Sequence, residues 1–273
     1  MKMLKIFKNC LLGVIVIALL ITLFISFVLM SMPVMAQNKT IIIMQDNTGL
    51  SSQSWFYSGS GNSLQTEEIK KNWNEDKYIT AAAYTSNGWF VSMAKGTKWT
   101  NQSYQNTSQW PDSWVHEKMD AGYMITSLAA SDNNWLIVMS EGSDYKKQEI
   151  CGAPWSSVKE FIKKWWDANY YITGIACQNG MWTVVMSLTD LYSGQSYFGA
   201  SDTSTLKTKI KEKWDAGYII TALEYGGGEF LCVMSKRKDG KATKEYWQVN
   251  PSNVSKHIKE YWDQNYNISY IGG

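Results

Sequence analysis

Histidine is almost missing from this chain: His116 and His257 are the two among 273 residues. With so few imidazoles, and with no HExxH, CxxC or His-x-His spacing, the sequence offers no ligand set for zinc and no evident general base. Both histidines fall in or beside helical segments, and both read as surface helix residues. Cysteine is scarce as well. Cys10 lies near the N-terminus, which leaves Cys151, Cys177 and Cys232, an odd number that builds no disulfide framework. Cys151 and Cys177 fall on strand-like runs of one repeat, close enough in sequence to pair in an oxidising compartment, but buried free thiols are the expected state. No GxSxG elbow, P-loop, Gly-rich kinase loop, HRD or DFG is present, and no cofactor is expected. An excess of charge is lacking too. The chain has 26 basic and 24 acidic residues, and setting aside Lys2, Lys5 and Lys8 leaves 23 against 24. A surface so balanced gives no electrostatic case for nucleic acid.

Those three lysines open a leader. An uncharged apolar run follows from Leu11 to Met30, and Val34-Met35-Ala36 puts small residues before Gln37. Basic lead, apolar stretch and small-residue junction are the order of a secretory signal peptide, so residues 1–36 are expected to be removed and the rest secreted or periplasmic. The alternative is an uncleaved anchor: residues 11–30 are long enough to span a bilayer, leaving residues 37–273 outside the cytoplasm.

What the chain has in quantity is one phrase, written five times. WNEDKYIT, MDAGYMIT, WDANYYIT, WDAGYIIT and WDQNYNIS end at Thr80, Thr126, Thr173, Thr221 and Ser269, steps of 46, 47, 48 and 48 residues. A period in this range marks an array or a propeller. Before each phrase lies an amphipathic stretch, clearest at Val158, Phe161, Ile162 and Trp165, whose spacing predicts a helix. Ser156 or Ser157, Thr205, Asn253 and Thr66 are candidate caps at the helix starts. Trp73, Trp166, Trp214 and Trp262 are expected to anchor the helix ends on a sheet. Gly122, Asn169, Gly217 and Asn265, with Lys77 in the first copy, are expected to stop the helices in left-handed geometry. The Asp after Trp reads as a solvated or locally bonded residue rather than an acid catalyst. A β-branched strand follows, then a second strand ending in Met93, Met139, Met186 or Met234, then a shorter third strand.

The two ends complete one another. The last copy stops after its first strand, and the segment after the leader begins with a second strand, IIIM, whose Met44 is in register with the other methionines. The expected architecture over residues 38–273 is therefore an α/β repeat: a five-fold, pseudo-symmetric, closed, propeller-like ring of ββαβ units of about 47 residues. The alternative is a five-bladed β-propeller decorated with helices. Closure would remove the exposed strand edges on which proteins aggregate.

The combination of helix-Trp-x-x-Gly-Tyr-x-Ile-Thr, the strand Trp182 to Ser187, Gln195-Ser196-Tyr197, and Gln102 with Tyr104 resembles a repeat domain found in the C-terminal half of plant casein-kinase-I-like kinases and in exported bacterial proteins. The likeness covers about residues 38–273. It implies the repeat fold and no chemistry, since that domain has no known function and no kinase lobe precedes it here.

Aromatic residues are in excess, with 14 Trp and 16 Tyr. The repeat absorbs the helix-end tryptophans and, as core, Trp89, Trp135 and Trp182. Left over in variable loops are Trp99, Trp110, Trp114, Tyr145, Trp155, Tyr192 and Trp247. Exposed rings among Asn, Ser, Gln and Asp suit a protein partner or the faces of sugars. The first expectation is an exported non-catalytic binding or scaffold module that engages a protein. A lectin-like glycan binder is the alternative. A guanidino-modifying enzyme, built like the five-fold α/β ring proteins that use a catalytic cysteine, is the remote third reading.

Overall fold

A computed structural model describes residues 39–59 and 63–273. The leader expected at residues 1–36, and part of the GSGNS loop at 59–63, lie outside the described residues. Among the described residues no helix is long and apolar enough to cross a membrane. The chain from Asn38 to Gly273 forms one compact unit.

It is mostly β, with fifteen strands and five helices among the described residues. In order they are β1 (Ile41–Gln45), β2 (Ser51–Tyr57), α1 (Thr66–Trp73), β3 (Tyr78–Thr85), β4 (Gly88–Lys95), β5 (Asn101–Thr107), α2 (Asp112–Asp120), β6 (Tyr123–Ala130), β7 (Trp135–Glu141) and β8 (Tyr145–Ala153). Then come α3 (Trp155–Trp166), β9 (Tyr170–Gln178), β10 (Met181–Thr189), β11 (Tyr192–Ala200), α4 (Thr203–Asp215), β12 (Ile219–Gly226), β13 (Glu229–Arg237), β14 (Glu245–Val249), α5 (Val254–Trp262) and β15 (Asn267–Gly272). They form five three-stranded sheets, ordered β2-β4-β3, β5-β7-β6, β8-β10-β9, β11-β13-β12 and β14-β1-β15. All pairings are antiparallel.

Four of the sheets are built by an outer strand, its helix, an inner strand and then the middle strand inserted between the two; the fifth takes β1 as its middle strand. The repeat in space is thus strand–helix–strand–strand. The ββαβ frame expected from the sequence straddles two sheets, because hydrogen bonding groups the methionine strand with the two strands before it rather than with the strand after it. The fifth sheet joins the two ends: Ile42 lies opposite Ile271 on one side and Gln248 on the other.

The middle strands are apolar on both faces. Ile41 to Met44 are wholly buried, as are the registered Met93, Met139, Met186 and Met234. A strand covered on both sides reads as a continuous apolar run rather than an alternating one, which explains IIIM, WLIVM and WTVVM. Ile41 and Ile43 face the core with Leu206 and Ile210, and Ile42 and Met44 face another core with Ala81 and Phe90. Each of the five core clusters draws on two sheets in this way. The inner strands also touch one another: β3 meets β6, β6 meets β9, β9 meets β12, β12 meets β15, and β15 meets β3.

Helix starts and stops partly follow expectation. Asn253 caps α5 by accepting from Lys256 N. Helix α4 is capped not by Thr205 but by Asp202, whose carboxylate accepts from both Ser204 N and Thr205 N. Helix α3 begins at Trp155 behind Pro154, so Ser156 and Ser157 lie inside it, and Thr66 is the first residue of α1 rather than its cap. The left-handed stops are Gly122, Asn169, Gly217 and Asn265, at φ of 87°, 64°, 80° and 64°. In the first copy Asp76, three residues after Trp73, takes this geometry at φ 57°, and not Lys77. The Asp after each Trp pairs one turn back along its helix, Asp167 with Lys163, Asp215 with Lys211 and Asp263 with Lys259.

Cys151 and Cys177 are free. They sit on β8 and β9 with β10 between them, opposite Val184 and Trp182. Two strand spacings come to about 9.5 Å, beyond the ~7 Å Cα reach of a disulfide. His116 is exposed, but His257 is buried on the inner face of α5 between Tyr246 and Tyr261. It is a core residue rather than a surface one, because Ile258 beside it turns that face of the helix inward.

Candidate functional site

Each outer strand carries an amide or carboxyl side chain at one register position: Gln53, Gln102, Gln148, Gln195 and Glu245. It bonds to the sheet before its own. Gln195 Oε1 accepts from the indole N–H of Trp166 at 3.1 Å and from Ile172 N at 2.7 Å. Its Nε2 donates to Ile172 O and Ser235 Oγ, both at 2.9 Å. Gln102 repeats the set with Trp73, Ile79 and Ser140. Gln53 bonds Trp262 and Ile268, tying the first sheet to the fifth. The helix-end tryptophans therefore do more than pack: each supplies a donor to the next unit.

The fifth clasp is altered. Glu245 accepts from Trp214 and Ile220, but a carboxylate cannot donate to Ile220 O. Gln45, standing where three of the other middle strands carry Ser140, Ser187 and Ser235 and β4 carries Ala94, donates to Ile220 O at 2.9 Å and to Glu245 at 2.7 Å. Burial pushes the Glu245 carboxyl up to about 7 against these donors.

The Thr or Ser closing each phrase has a common fate. The pairing of inner and middle strands slips one residue at Thr80, Thr126, Thr173, Thr221 and Ser269, so each is left without a pairing partner. Such bulges re-aim a side chain and bend the strand. Three hydroxyls turn to the middle-strand serine: Thr126 to Ser140 at 2.8 Å, Thr173 to Ser187 at 2.5 Å and Thr221 to Ser235 at 2.9 Å.

All five bulge residues line a single cavity of about 560 Å³. Its wall continues through Ala81, Ser127, Gly174 and Tyr270, and its rim is made by the loops from middle to outer strands. There Trp99, Tyr145 and Tyr192 stand, each three residues before the clasp glutamine of its strand. Trp99 meets Tyr78 edge-on at 6.3 Å, and Tyr192 meets Tyr171 in the same way at 5.7 Å. Charged groups alternate with the rings. Lys98 pairs with Asp144 at 3.0 Å, Lys146 and Lys238 share Asp190, and Arg237 holds Asp239 at 2.7 Å. Lys146 and then Lys238 keep the Asp190 carboxyl below the usual range. Burial pushes the Tyr192 phenol up to about 12, so it stays a neutral donor.

Of the seven rings expected at a site, these three come together. The other four serve the sheets. Trp110 sits edge-on to Trp135 at 5.3 Å. Trp114 packs on the core of Val115 and Ile125. Trp155 is wedged between Trp182 and Tyr197 at 5.8 and 5.5 Å. Trp247, on β14 opposite Ile43, joins the core of Leu206 and Ile210. All seven rings are half-buried; these four differ in lying against core clusters or sheet rings and outside the cavity of the five bulges. The bulge hydroxyls and the charged rim were not among the expected site residues; the one sequence mark of the rim is the fixed spacing of Trp99, Tyr145 and Tyr192 to Gln102, Gln148 and Gln195. No cluster of three or more His, Cys, Asp or Glu fit to hold a metal occurs among the described residues.

Two successive segments, residues 22–152 and 153–273, match the family model described as Domain of unknown function (DUF7477). The chain belongs to this family. The junction between the two matches falls inside β8, so it marks no division in the structure. Over 92 residues the chain is also 35% identical to Casein kinase 1-like protein HD16 of Oryza sativa subsp. japonica, a match covering 33% of this chain and 13% of that protein.

Proposed function

We propose that the five sheets stand as blades of a closed five-fold ring, and that the ring is a non-catalytic binding module taking a polyhydroxylated ligand, a glycan end, into the cavity lined by all five repeats. Closure is supported by the cyclic order of the inner-strand contacts and by the clasp from Gln53 back to Ile268. The observation that carries the ligand reading is the convergence of Trp99, just before β5, with Tyr145 and Tyr192, the first residues of β8 and β11, onto one concavity rimmed by carboxylates and cations. Rings stack on the apolar faces of sugars, while fixed polar groups bond their hydroxyls. A cavity of hundreds of cubic ångströms fits a sugar residue better than the flat apolar centre of a protein interface. Among the described residues the exposed large apolar side chains are Met181, Leu191 and Tyr246, spread over separate elements. A cysteine nucleophile is disfavoured: burial pushes the Cys177 thiol up to about 11 and Cys232 well above its ordinary value. The leader of residues 1–36 puts the module outside the cytoplasm.

The test is a glycan array probed with the protein and with Trp99→Ala and Tyr192→Ala. Sugar hits weakened about fivefold in both variants, with the folded circular-dichroism spectrum retained, are the expected result; stacked rings contribute about 1 kcal/mol each. Capture of protein partners alone, with no sugar bound, transfers the reading to a scaffold.

A further inference from the structure

The second repeat breaks the rule that the others keep. Where Trp73, Trp166, Trp214 and Trp262 end their helices, α2 has Met119. Two residues beyond the clasp glutamine, where the other outer strands carry Trp55, Tyr104, Tyr197 and Trp247, β8 has Ile150. These two positions face each other across neighbouring units: Trp73 lies 5.6 Å from Tyr104 and Trp166 lies 5.3 Å from Tyr197. Between the second and third sheets both members of the ring pair are thus replaced by smaller aliphatic side chains at once. The consequence is a cavity of about 500 Å³, lined by Met119 and Ile150 together with Trp110, Trp135 and Met181. Met181, at 43% exposure, stands at its mouth.

The chemistry of the gap is defined by what is missing. In the other four clasps an indole N–H reaches the glutamine or glutamate oxygen, at 2.9 Å on Gln53, 3.2 Å on Gln102 and 3.1 Å on Gln195. Gln148 also lines the cavity, and among the described residues its Oε1 accepts only from Ile125 N, at 2.7 Å. One lone pair of that oxygen is therefore left where its counterparts hold an indole. The remaining polar lining is Asp112, His116, Glu149 and Thr183. Two carboxylates against one imidazole, exposed and close to Asp112 at 3.5 Å, favour a positive charge on whatever enters.

We propose that this cavity is a second ligand site, distinct from the one rimmed by Trp99 and Tyr192, and that it takes a free cationic indole, a small indolyl-alkylamine. The ring fills the space left by the absent tryptophan between Trp110, Met119 and Ile150. Its N–H donates to Gln148 Oε1, and the ammonium lies toward Asp112 and Glu149. The cavity volume suits a ligand of that size.

Tryptamine is the probe, titrated against the protein by calorimetry, beside indole-3-propionate, a Lys-Trp-Lys peptide and the Met119→Trp and Met181→Lys variants. Saturable one-to-one binding of tryptamine, at least tenfold tighter than indole-3-propionate, is expected. Met119→Trp restores the built-in indole, so it should abolish binding and raise Tm. Met181→Lys, at an exposed position, should weaken tryptamine about tenfold with Tm unchanged, which keeps the test decisive if Met119→Trp misfolds. No tryptamine binding, equal binding of the propionate, or binding that survives both substitutions overturns the proposal. Binding of the peptide alone overturns the assignment to a small free ligand.

Discussion

Gln45 and Glu245 are a pair exchange written into one clasp. Elsewhere an outer-strand glutamine both accepts and donates, and at Gln102, Gln148 and Gln195 a middle-strand serine takes one of the donated bonds. Here the outer residue only accepts, and the donor has moved to the middle strand. Either single reversion leaves a mismatch. Glu245→Gln sets two amide NH₂ groups against each other, and Gln45→Ser strips the donor from Ile220 O. A buried group without its partner costs about 1–3 kcal/mol. The double variant, Gln45→Ser with Glu245→Gln, rebuilds the clasp made by Gln195 and Ser235. Urea denaturation should therefore give a favourable coupling of about 1 kcal/mol or more between the two sites. The same experiment has a pH signature. The folded Glu245 carboxyl is pushed up to about 7, above the ~4.3 of an unfolded chain, so folding favours its protonated form. Its ionisation costs stability progressively as pH rises from about 4.3 to 7. The double variant has no carboxyl there, and its Tm advantage over the natural protein should widen between pH 5 and pH 8. Glu224, buried and pushed up to about 8, is common to both proteins and cancels from the comparison.

At the scale of elements, the recurring phrase is a helix end, a left-handed stop and a bulged strand start. Glycine and asparagine share the stop because φ near 64° to 87° is open to them and steeply unfavourable for β-branched residues. Replacing Asn169 by Gly should leave stability within about 0.5 kcal/mol, whereas Asn169→Val should cost about 1–2 kcal/mol and lower Tm. Equal effects of the two would show that side-chain bonding, not backbone geometry, selects asparagine. The stop and the helix stripe were legible in the sequence since both are local: the spacing of Val158, Ile162 and Trp165 and a residue tolerant of left-handed backbone suffice. The caps were less legible. Asp202 lies three residues before Thr205, and nothing in the spacing of apolar residues marks which of two polar residues begins a helix.

For the whole molecule, the decisive feature is β1. It is the middle strand of a sheet whose other two members come from the far end of the chain, with Ile41 to Met44 wholly buried between two cores. A terminal segment ordinarily frays. This one, bonded on both edges, should not. Native-state hydrogen exchange should find the amides of Ile42 and Ile43 as protected as those of Val184 and Val185 in the middle of β10. Exchange at the rate of a frayed end would contradict five-fold closure, since the fifth sheet would then open independently of the rest.

The repeat, its period, the order of helices and strands, and the match between β1 and the last strands are all present in the order of the amino acids. All of these follow from local residue preferences and from apolar patterning along the chain. Which strands share a sheet, and hence that the unit in space is strand–helix–strand–strand, emerges with the folded arrangement. That arrangement also decides that Trp99, Tyr145 and Tyr192 meet at one cavity while Trp110, Trp114, Trp155 and Trp247 pack against cores. The physical reason is that an aromatic side chain has the same composition whether it covers a sheet or faces solvent. Its role is set by residues some 47 positions away, brought beside it only when the sheets assemble.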